Sequence, residues 1–292
     1  MRNAVNSRMK RLMAILGLVL LSASLGSCGS DKSKLPPPPP ISGPIKTTNN
    51  TAYRTPALHG PVPRNPDMNL RADYTKGSGI SFSRIPMADK YIAITFDDGP
   101  HPKNTPRLLN MLRARNIKAT FYMVGSNVDL YPQVVRRVVA EGHEIGNHSY
   151  SLRLFSKMGD SEIRQELSRT RDAVQRAAGV QPLTLRPPFG GMLTRQREWV
   201  NAEFGYPIIL WSIDPLDWKR PGPSVVCSRI VSATTPGSII LAHDLHSQTV
   251  DAMPATLDGL LQRGFKFVTV SQLLAMRGEM ATARVTVKAP VH

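Results

Sequence analysis

The stretch "AITFDDGPH", from Ala93 to His101, decides the fold, because it predicts a buried strand that ends in two adjacent aspartates and a Gly-Pro turn. The run from Ile92 to Phe96 is apolar apart from a threonine, which is typical of a strand covered on both faces. Asp97 and Asp98 follow directly. Two neighbouring carboxylates repel each other unless a cation, a base partner or water compensates for the repulsion. The stretch therefore predicts a functional site at the end of a core strand.

Strand-like and helix-like runs alternate along the chain from about residue 86 to residue 278. The other strand-like runs are "ATFYMV" (119–124), "HEIGN" (143–147), "LTLRP" (183–187), "PIILWSI" (207–213), "SIILAH" (238–243) and "KFVTV" (266–270). Helical patterns cover residues 105–116, 132–142, 160–178, 195–204, 223–233, 250–261 and 271–276. Seven strands alternating with helices predict an α/β fold whose parallel sheet is closed, or nearly closed, into a barrel.

Polar residues stand at the carboxyl ends of five of these strands. In barrels of this kind, functional residues gather at that end of the sheet. The residues concerned are Asp97 with Asp98, then His148, Arg186, Asp214 with Asp217, and His243 with Asp244. Scattered surface polar residues would not be expected to follow the strand ends in this way, so the pattern predicts one shared site.

The bulk composition limits the kind of protein and the kind of partner. The chain has 292 residues and 41% hydrophobic residues, which suits one sizeable globular domain with appendages. Its formal net charge of +16 favours an anionic partner, namely nucleic acid, anionic lipid or an acidic wall glycan.

The N-terminus predicts export. A basic stretch ends at Arg11, and a 14-residue apolar run from Leu12 to Leu25 follows, too short to span a bilayer but shaped like a signal peptide. Small residues directly before Cys28 resemble a bacterial lipoprotein signal, in which residues 1–27 are cleaved and Cys28 is lipidated. The alternative is an ordinary secretory signal with an incidental cysteine. Export argues against nucleic acid as the partner and predicts a membrane-anchored lipoprotein of the bacterial cell envelope.

Residues 28–85 are expected to form a disordered tether between that anchor and the domain. The run "LPPPPP", Leu35 to Pro40, favours extended polyproline geometry, and apolar periodicity is absent from the segment. The domain is expected over residues 86–278 and a flexible tail over residues 279–292. If Cys28 carries lipid, Cys227 has no disulfide partner, and its apolar surroundings favour a small core residue.

Five motifs resemble those of the NodB-type polysaccharide deacetylases, carbohydrate esterase family 4. They are, in order, "TFDDGP" (95–100), "GHEIGNHSYS" (142–151), "RPPFG" (186–190), "SIDPLDW" (212–218) and "ILAHD" (240–244). The resemblance covers roughly residues 88–276. It implies a distorted, incomplete (β/α)7-type barrel and metal-dependent removal of acetyl groups from N-acetylated glycans.

The resemblance implies a catalytic role for four residues. Asp97 would be the general base that deprotonates the attacking water, and Arg186 would hold it ionised and oriented. His243 would be the general acid that protonates the leaving amine. Asp217 would support His243 and keep its pKa high enough for the ring to hold a proton.

The resemblance also implies a metal site and a substrate pocket. Asp98 and His148 would bind a divalent metal, usually zinc and in some members cobalt or nickel. The backbone N–H of Phe189 would help to hold the oxyanion, and Trp218 and Leu241 would wall the pocket for the acetyl methyl group.

One position departs from the family pattern. The second motif carries metal-binding histidines four residues apart, but here Leu152 stands four residues after His148. A catalytic metal usually has three protein ligands, and the motifs supply two. Asn147, Ser151, His101 and His246 are candidates for a replacement. Two other outcomes stay open, namely a weakly held metal with activity at high metal concentration, and loss of catalysis with retained glycan binding.

The sequence therefore predicts a metal-dependent deacetylase of a GlcNAc-containing polysaccharide. Peptidoglycan is the leading substrate, because the anchor and tether would place the domain beside the wall and a basic surface suits its carboxylates. An exopolysaccharide or a chitin-like oligosaccharide is the next candidate. The rival hypothesis is a catalytically impaired glycan-binding lipoprotein, and Leu152 is its support.

Overall fold

The computed structural model describes residues 79–277. The predicted signal peptide, Cys28, most of the predicted tether and the predicted tail lie outside the described residues. The strands are β1 (Ser81–Phe82), β2 (Tyr91–Asp97), β3 (Thr120–Met123), β4 (Glu144–Asn147), β5 (Ile208–Ile209), β6 (Ile239–His243) and β7 (Lys266–Phe267). The helices are α1 (Asn104–Ala114), α2 (Gly125–Leu130), α3 (Pro132–Ala140), α4 (Asp160–Ala178), α5 (Thr194–Phe204), α6 (Pro223–Ala233) and α7 (Ser247–Gln262). Residues 270–277 are also helical.

All of the strand ladders are parallel, which confirms the predicted α/β class. The main sheet has the order β4-β3-β2-β6, β7 pairs with the start of β2, and β1 pairs with β5. Single bridges continue the sheet from β4 through Leu185 to β5, and Ile213 bridges back to β6. Because bridges replace ladders there, the described strands form an incomplete barrel.

Strand β2 lies at the centre of the sheet and is buried on both faces. Ile92, Ile94 and Phe96 point to one side, where they join the main core cluster with the apolar residues of α1 and α7. Ala93, Thr95 and Asp97 alternate with them and face the interior of the barrel. The ladder with β6 pairs Asp97 with His243, so the two strands deliver these polar residues side by side.

Three local features differ from the sequence prediction. The run "LTLRP" forms only two isolated bridges, both at Leu185, because two prolines follow Arg186 and cannot donate to a ladder. Helix α2 was not predicted, because six residues are too few for a periodic pattern. The predicted tether extended to residue 85, but Ser81 and Phe82 form β1, and Ile85 is fully buried. The folded domain therefore begins earlier than residue 86.

None of the helices within residues 79–277 is long and apolar enough to cross a bilayer.

Candidate active site

The left-handed backbone of Asp98 brings two neighbouring carboxylates together. Successive side chains of a strand point to opposite faces, so Asp97 and Asp98 would diverge if the strand continued. Strand β2 ends at Asp97, and Asp98 has φ 71°, a conformation that aspartate tolerates better than most residues. The Nε2 atom of His148 lies 3.7 Å from Asp97 Oδ2 and 3.3 Å from Asp98 Oδ1. The turn thus aims both carboxylates at one imidazole.

Arg186 is completely buried and is tied to Asp97. Its Nη1 atom donates hydrogen bonds to Asp97 Oδ1 and Thr95 Oγ1, each at 2.6 Å. Its remaining nitrogens donate to the carbonyls of Ile209, at 3.3 Å, and Leu210, at 3.1 Å. A buried guanidinium needs such compensation, and a charge-assisted bond to Asp97 is the strongest part of it. The pair therefore keeps Asp97 in one orientation.

The tautomer of His148 is fixed by a backbone carbonyl. Its Nδ1 atom lies 2.7 Å from the carbonyl oxygen of Arg186, which can only accept a hydrogen bond, so Nδ1 carries the proton. In the neutral ring, the Nε2 lone pair therefore faces the carboxylates, as in histidine ligands of metals. Burial opposes protonation of His148, but the charges of Asp97 and Asp98 outweigh it and raise the pKa of the ring.

His243 and Asp217 form a second buried acid–imidazole pair. Asp217 Oδ1 accepts hydrogen bonds from His243 Nδ1, at 2.8 Å, and from the Trp218 amide, at 3.0 Å. Its Oδ2 atom accepts from the His243 amide and from Thr249 Oγ1, each at 2.8 Å. Burial lowers the pKa of His243, but its hydrogen bond to Asp217 and the surrounding carboxylates overcome this and raise the pKa to about 9. The ring is therefore protonated at neutral pH.

The three residues predicted to bind substrate lie around these pairs. Leu241 is buried on β6, on the same face as His243, and its ladder partner is Thr95. The side chain of Trp218 is 50% exposed and follows Asp217 in a 3₁₀ turn. Phe189 has φ 58° and a side chain that is 71% exposed. The predicted site residues within 79–277 thus lie at the carboxyl ends of the strands or in the loops that follow, except Leu241, which lies inside β6.

Comparison with known proteins identifies the family. The polysaccharide deacetylase family matches residues 84–209. A peptidoglycan-N-acetylglucosamine deacetylase of Bacillus cereus is 35% identical over 225 residues, which are 73% of this chain and 81% of that protein. The chain belongs to the polysaccharide deacetylase family. This confirms the predicted family and, with it, the predicted enzyme class.

Two solved structures of carbohydrate esterase family 4 proteins show what this fold can carry. The peptidoglycan deacetylase PdaC of Bacillus subtilis superposes with a TM-score of 0.64 at 33% identity, over 68% of this chain and 98% of the solved one. A family pseudoenzyme of Bacillus anthracis superposes with a TM-score of 0.63 at 28% identity, over 66% and 68% of the two chains. The fold therefore occurs both in deacetylases and in a pseudoenzyme.

The donor set fits a divalent cation at two positions. The family is generally metal-dependent. Tetrahedral zinc with bonds of about 2.0–2.1 Å to nitrogen and oxygen separates two ligands by about 3.3 Å. His148 Nε2 and Asp98 Oδ1 lie 3.3 Å apart, with the lone pair of the ring directed at the carboxylate. This pair could therefore hold one side of a metal ion.

A third ligand is missing from the part of the chain that the structure describes, because no three His, Cys, Asp or Glu side chains there are placed to hold a metal ion together. Asn147 and Ser151, two candidate replacements, are engaged with Leu167, Ser149 and Glu166. His101 accepts the amides of Lys103 and Asn104 at Nδ1, so its Nε2 atom carries the proton. The side chain of His246 forms no hydrogen bond with another described residue, but it does not form a metal-binding group with Asp98 and His148. None of these four residues therefore takes the place of the metal-binding histidine that the family motif has at position 152.

Sequence reasoning missed three residues that hold the site in place. Tyr122 stacks under Arg186, with its ring centroid 4.1 Å from the guanidinium carbon. Thr95 accepts a hydrogen bond from Arg186, and Thr249 donates one to Asp217. The alternation along β2 and β3 could have indicated that Thr95 and Tyr122 face the interior. Asp244 is fully buried beside Thr105, which donates a hydrogen bond to it, and burial raises its pKa to about 7.

Proposed function

We propose that this protein hydrolyses the N-acetyl groups of a GlcNAc-containing polysaccharide, with peptidoglycan as the substrate. One observation carries the proposal: a carboxylate locked by arginine and an imidazole locked by aspartate stand at paired positions of β2 and β6. Hydrolysis of an amide needs a base for the attacking water and an acid for the leaving amine. The arrangement offers one group for each task.

Asp97 is proposed as the general base. Arg186 donates a hydrogen bond to Oδ1 and holds it in place, which leaves Oδ2 free to take a proton from water. The water oxygen then forms a bond to the acetyl carbon, and the carbonyl oxygen gains negative charge. Because Arg186 is fixed by Thr95 and two carbonyls, Asp97 needs little reorganisation when it takes up the proton.

His243 is proposed as the general acid. Asp217 holds the proton on Nδ1, so Nε2–H is the group that points away from the pair and can reach the leaving nitrogen. Transfer of this proton accompanies cleavage of the C–N bond and gives acetate and a free amine on the sugar. The raised pKa of His243 keeps the proton available at neutral pH.

Asp98 and His148 are proposed to hold a divalent metal, with zinc as the first candidate and cobalt or nickel as the others. When bound, such an ion polarises the acetyl carbonyl and lowers the pKa of a bound water. The Arg186 carbonyl keeps the Nε2 lone pair of His148 available for it. Leu152 leaves the site with one ligand fewer than the family motif, so weak metal binding is part of this proposal.

Phe189, Trp218 and Leu241 are proposed to position the substrate. The Phe189 N–H would contact the oxyanion, and the left-handed backbone at that residue sets the direction of the amide. Leu241 and Trp218 would contact the methyl group and exclude water. The exposed ring of Trp218 also offers a flat surface for a sugar.

Peptidoglycan is proposed from the relatives and from charge. Relatives from Bacillus cereus and Bacillus subtilis are named for deacetylation of N-acetylglucosamine and N-acetylmuramic acid in peptidoglycan. The net charge of +16 suits a polymer with carboxylates. We further propose that the chain is exported and anchored by lipid at Cys28, so that it works at the cell wall and does not bind nucleic acid.

Acetate release tests the proposal. Purified protein with excess zinc should release acetate from peptidoglycan or from acetylated chito-oligosaccharides, and Asp97→Asn and His243→Ala should each abolish the release. Asp214→Asn is the matched control, because that carboxylate lies in the same loop as Asp217 but is exposed. Release that persists in the Asp97 and His243 variants would contradict the assigned roles.

The alternative is a glycan-binding protein without catalysis. Leu152 at the position of a metal ligand favours it, and a pseudoenzyme shares the fold. In that case the wild-type protein would bind the glycan but release no acetate at any metal concentration.

A further inference from the structure

Arg220 differs from every other arginine within residues 79–277. Each of the others donates a hydrogen bond, forms an ion pair or lies over an aromatic ring. The guanidinium of Arg220 makes none of these contacts with a described residue, and the residue is exposed. An arginine presents five donors in a planar fork that matches a carboxylate or phosphate. This one is available to a ligand.

The backbone fixes Arg220 close to the proposed general acid. The 3₁₀ turn Asp217–Lys219 is bounded by Leu216 and Arg220, both with φ 54°. The Arg220 amide donates to the carbonyl of Asp217 at 2.8 Å, and the carboxylate of Asp217 binds His243. Non-glycine residues with such backbone angles are found where the surrounding structure holds them, often at ligand-binding sites. The turn therefore carries Arg220 on the same rigid unit as the Asp217–His243 pair.

Lys219 and Trp218 extend the same surface. The ammonium of Lys219 lies 4.9 Å from the centre of the Trp218 ring, and it forms no ion pair within the described residues. His246, the residue before α7, lies near enough for the charge of Arg220 to act on it, because burial and then this charge lower the pKa of its ring. The other carboxylate of this loop, Asp214, accepts a hydrogen bond from the Leu216 amide and pairs with neither cation. Two cations without an ion-pair partner among the described residues, together with a half-exposed aromatic ring, thus lie beside the Asp217–His243 pair.

We propose that Lys219 and Arg220 bind a carboxylate of the glycan while Trp218 contacts the sugar. The inference rests on the proposed function and deepens it: the site would prefer an acidic glycan to a neutral one such as chitin. In peptidoglycan, the carboxylate has two sources, the lactyl ether of muramic acid and the stem peptide. Both present the same planar anion to the arginine fork.

Binding affinity tests the inference separately from catalysis. Isothermal titration calorimetry on the full chain in detergent would compare three tetrasaccharides: neutral N-acetylglucosamine, alternating N-acetylglucosamine and N-acetylmuramic acid with free lactyl groups, and the latter with stem peptides. The variants are Arg220→Gln, Lys219→Gln and the double variant. Arg113→Gln is the matched control, an exposed arginine near the opposite end of α1 from the site.

The wild type should bind at least one acidic ligand more tightly than the neutral one, and added salt should reduce the difference. Arg220→Gln should weaken that binding about fivefold, or about 1 kcal/mol, as expected for one exposed charge pair. The double variant should remove the preference, while Arg113→Gln should keep it. The acidic ligand that shows the preference identifies the source of the carboxylate.

Equal affinity of the wild type for all three ligands would overturn the inference, as would a preference that survives in the double variant. Acetate release is measured in parallel. A wild type that binds acidic glycan selectively without releasing acetate would refute the proposed function and leave this inference intact.

Discussion

Replacement of Asp217 by asparagine should move the alkaline limb of the pH–rate profile. Asp217 accepts four hydrogen bonds, two of them from His243, at 2.8–3.0 Å. An amide can keep two of these at its oxygen, so the imidazole stays oriented while the negative charge is lost. Burial lowers the pKa of His243, and without the Asp217 carboxylate the main group that opposes this effect is gone. The pKa of the ring should therefore fall from about 9 to the ordinary value of about 6.5 or below.

The expected loss of rate follows from the fraction of protonated His243. At pH 8, an acid with a pKa near 9 is roughly 90% protonated, and one with a pKa of 6.5 is about 3% protonated. The rate should therefore fall about 30-fold at pH 8 and much less at pH 6. A bound divalent cation moves the alkaline limb of the profile to lower pH in both proteins. Wild type and variant are therefore compared at the same metal concentration.

The assay is acetate release from an acetylated chito-oligosaccharide between pH 5 and pH 10. Asp214→Asn is the control, because it removes an exposed carboxylate three residues away and should leave the profile in place. An alkaline limb at the same pH in Asp217→Asn and wild type would contradict the role of Asp217 in raising the pKa of His243, and so would an equal shift in the control.

Further predictions concern the metal site, the support of Arg186 and the anchor. Leu152→His should tighten zinc binding about tenfold or more by calorimetry, with Leu152→Ala as the control; unchanged affinity would contradict the role of position 152. Tyr122→Leu should lower kcat about tenfold with little change in KM, because Arg186 loses the ring beneath it, whereas Tyr122→Phe should keep kcat within about threefold. Equal losses would contradict the stacking role. Radiolabelled palmitate should enter the wild-type protein in cells but not Cys28→Ser, and an unlabelled wild type would exclude the anchor.

Much of the fold was predictable from the sequence because β2, β3 and β6 are continuous apolar runs. A strand buried on both faces leaves a clear pattern, and the helices between the strands show theirs through periodicity and Pro or Gly boundaries. The segment around Leu185 was less predictable, because its two bridges, to Asn147 and Ile208, depend on strands elsewhere in the chain. Helix α2 is too short to leave a periodic pattern.

The candidate site was predictable in its residue types but not in its geometry. The motifs indicated Asp97, Asp98 and His148, yet the left-handed turn at Asp98 is what brings their side chains together. The tautomer of His148 depends on a carbonyl 38 residues away in sequence. The stacking of Tyr122 on Arg186 depends on the twist and register of several strands, which a local pattern does not specify.

Deacetylation is proposed to depend on a divalent ion that Asp98 and His148 hold. The most direct test measures bound metal and released acetate together, for wild type and Asp98→Ala, before chelation, after it and after zinc is added back. Chelation should stop acetate release by the wild type, added zinc should restore it, and Asp98→Ala should neither retain metal nor release acetate. Acetate release that continues without metal, or in Asp98→Ala, would contradict this dependence.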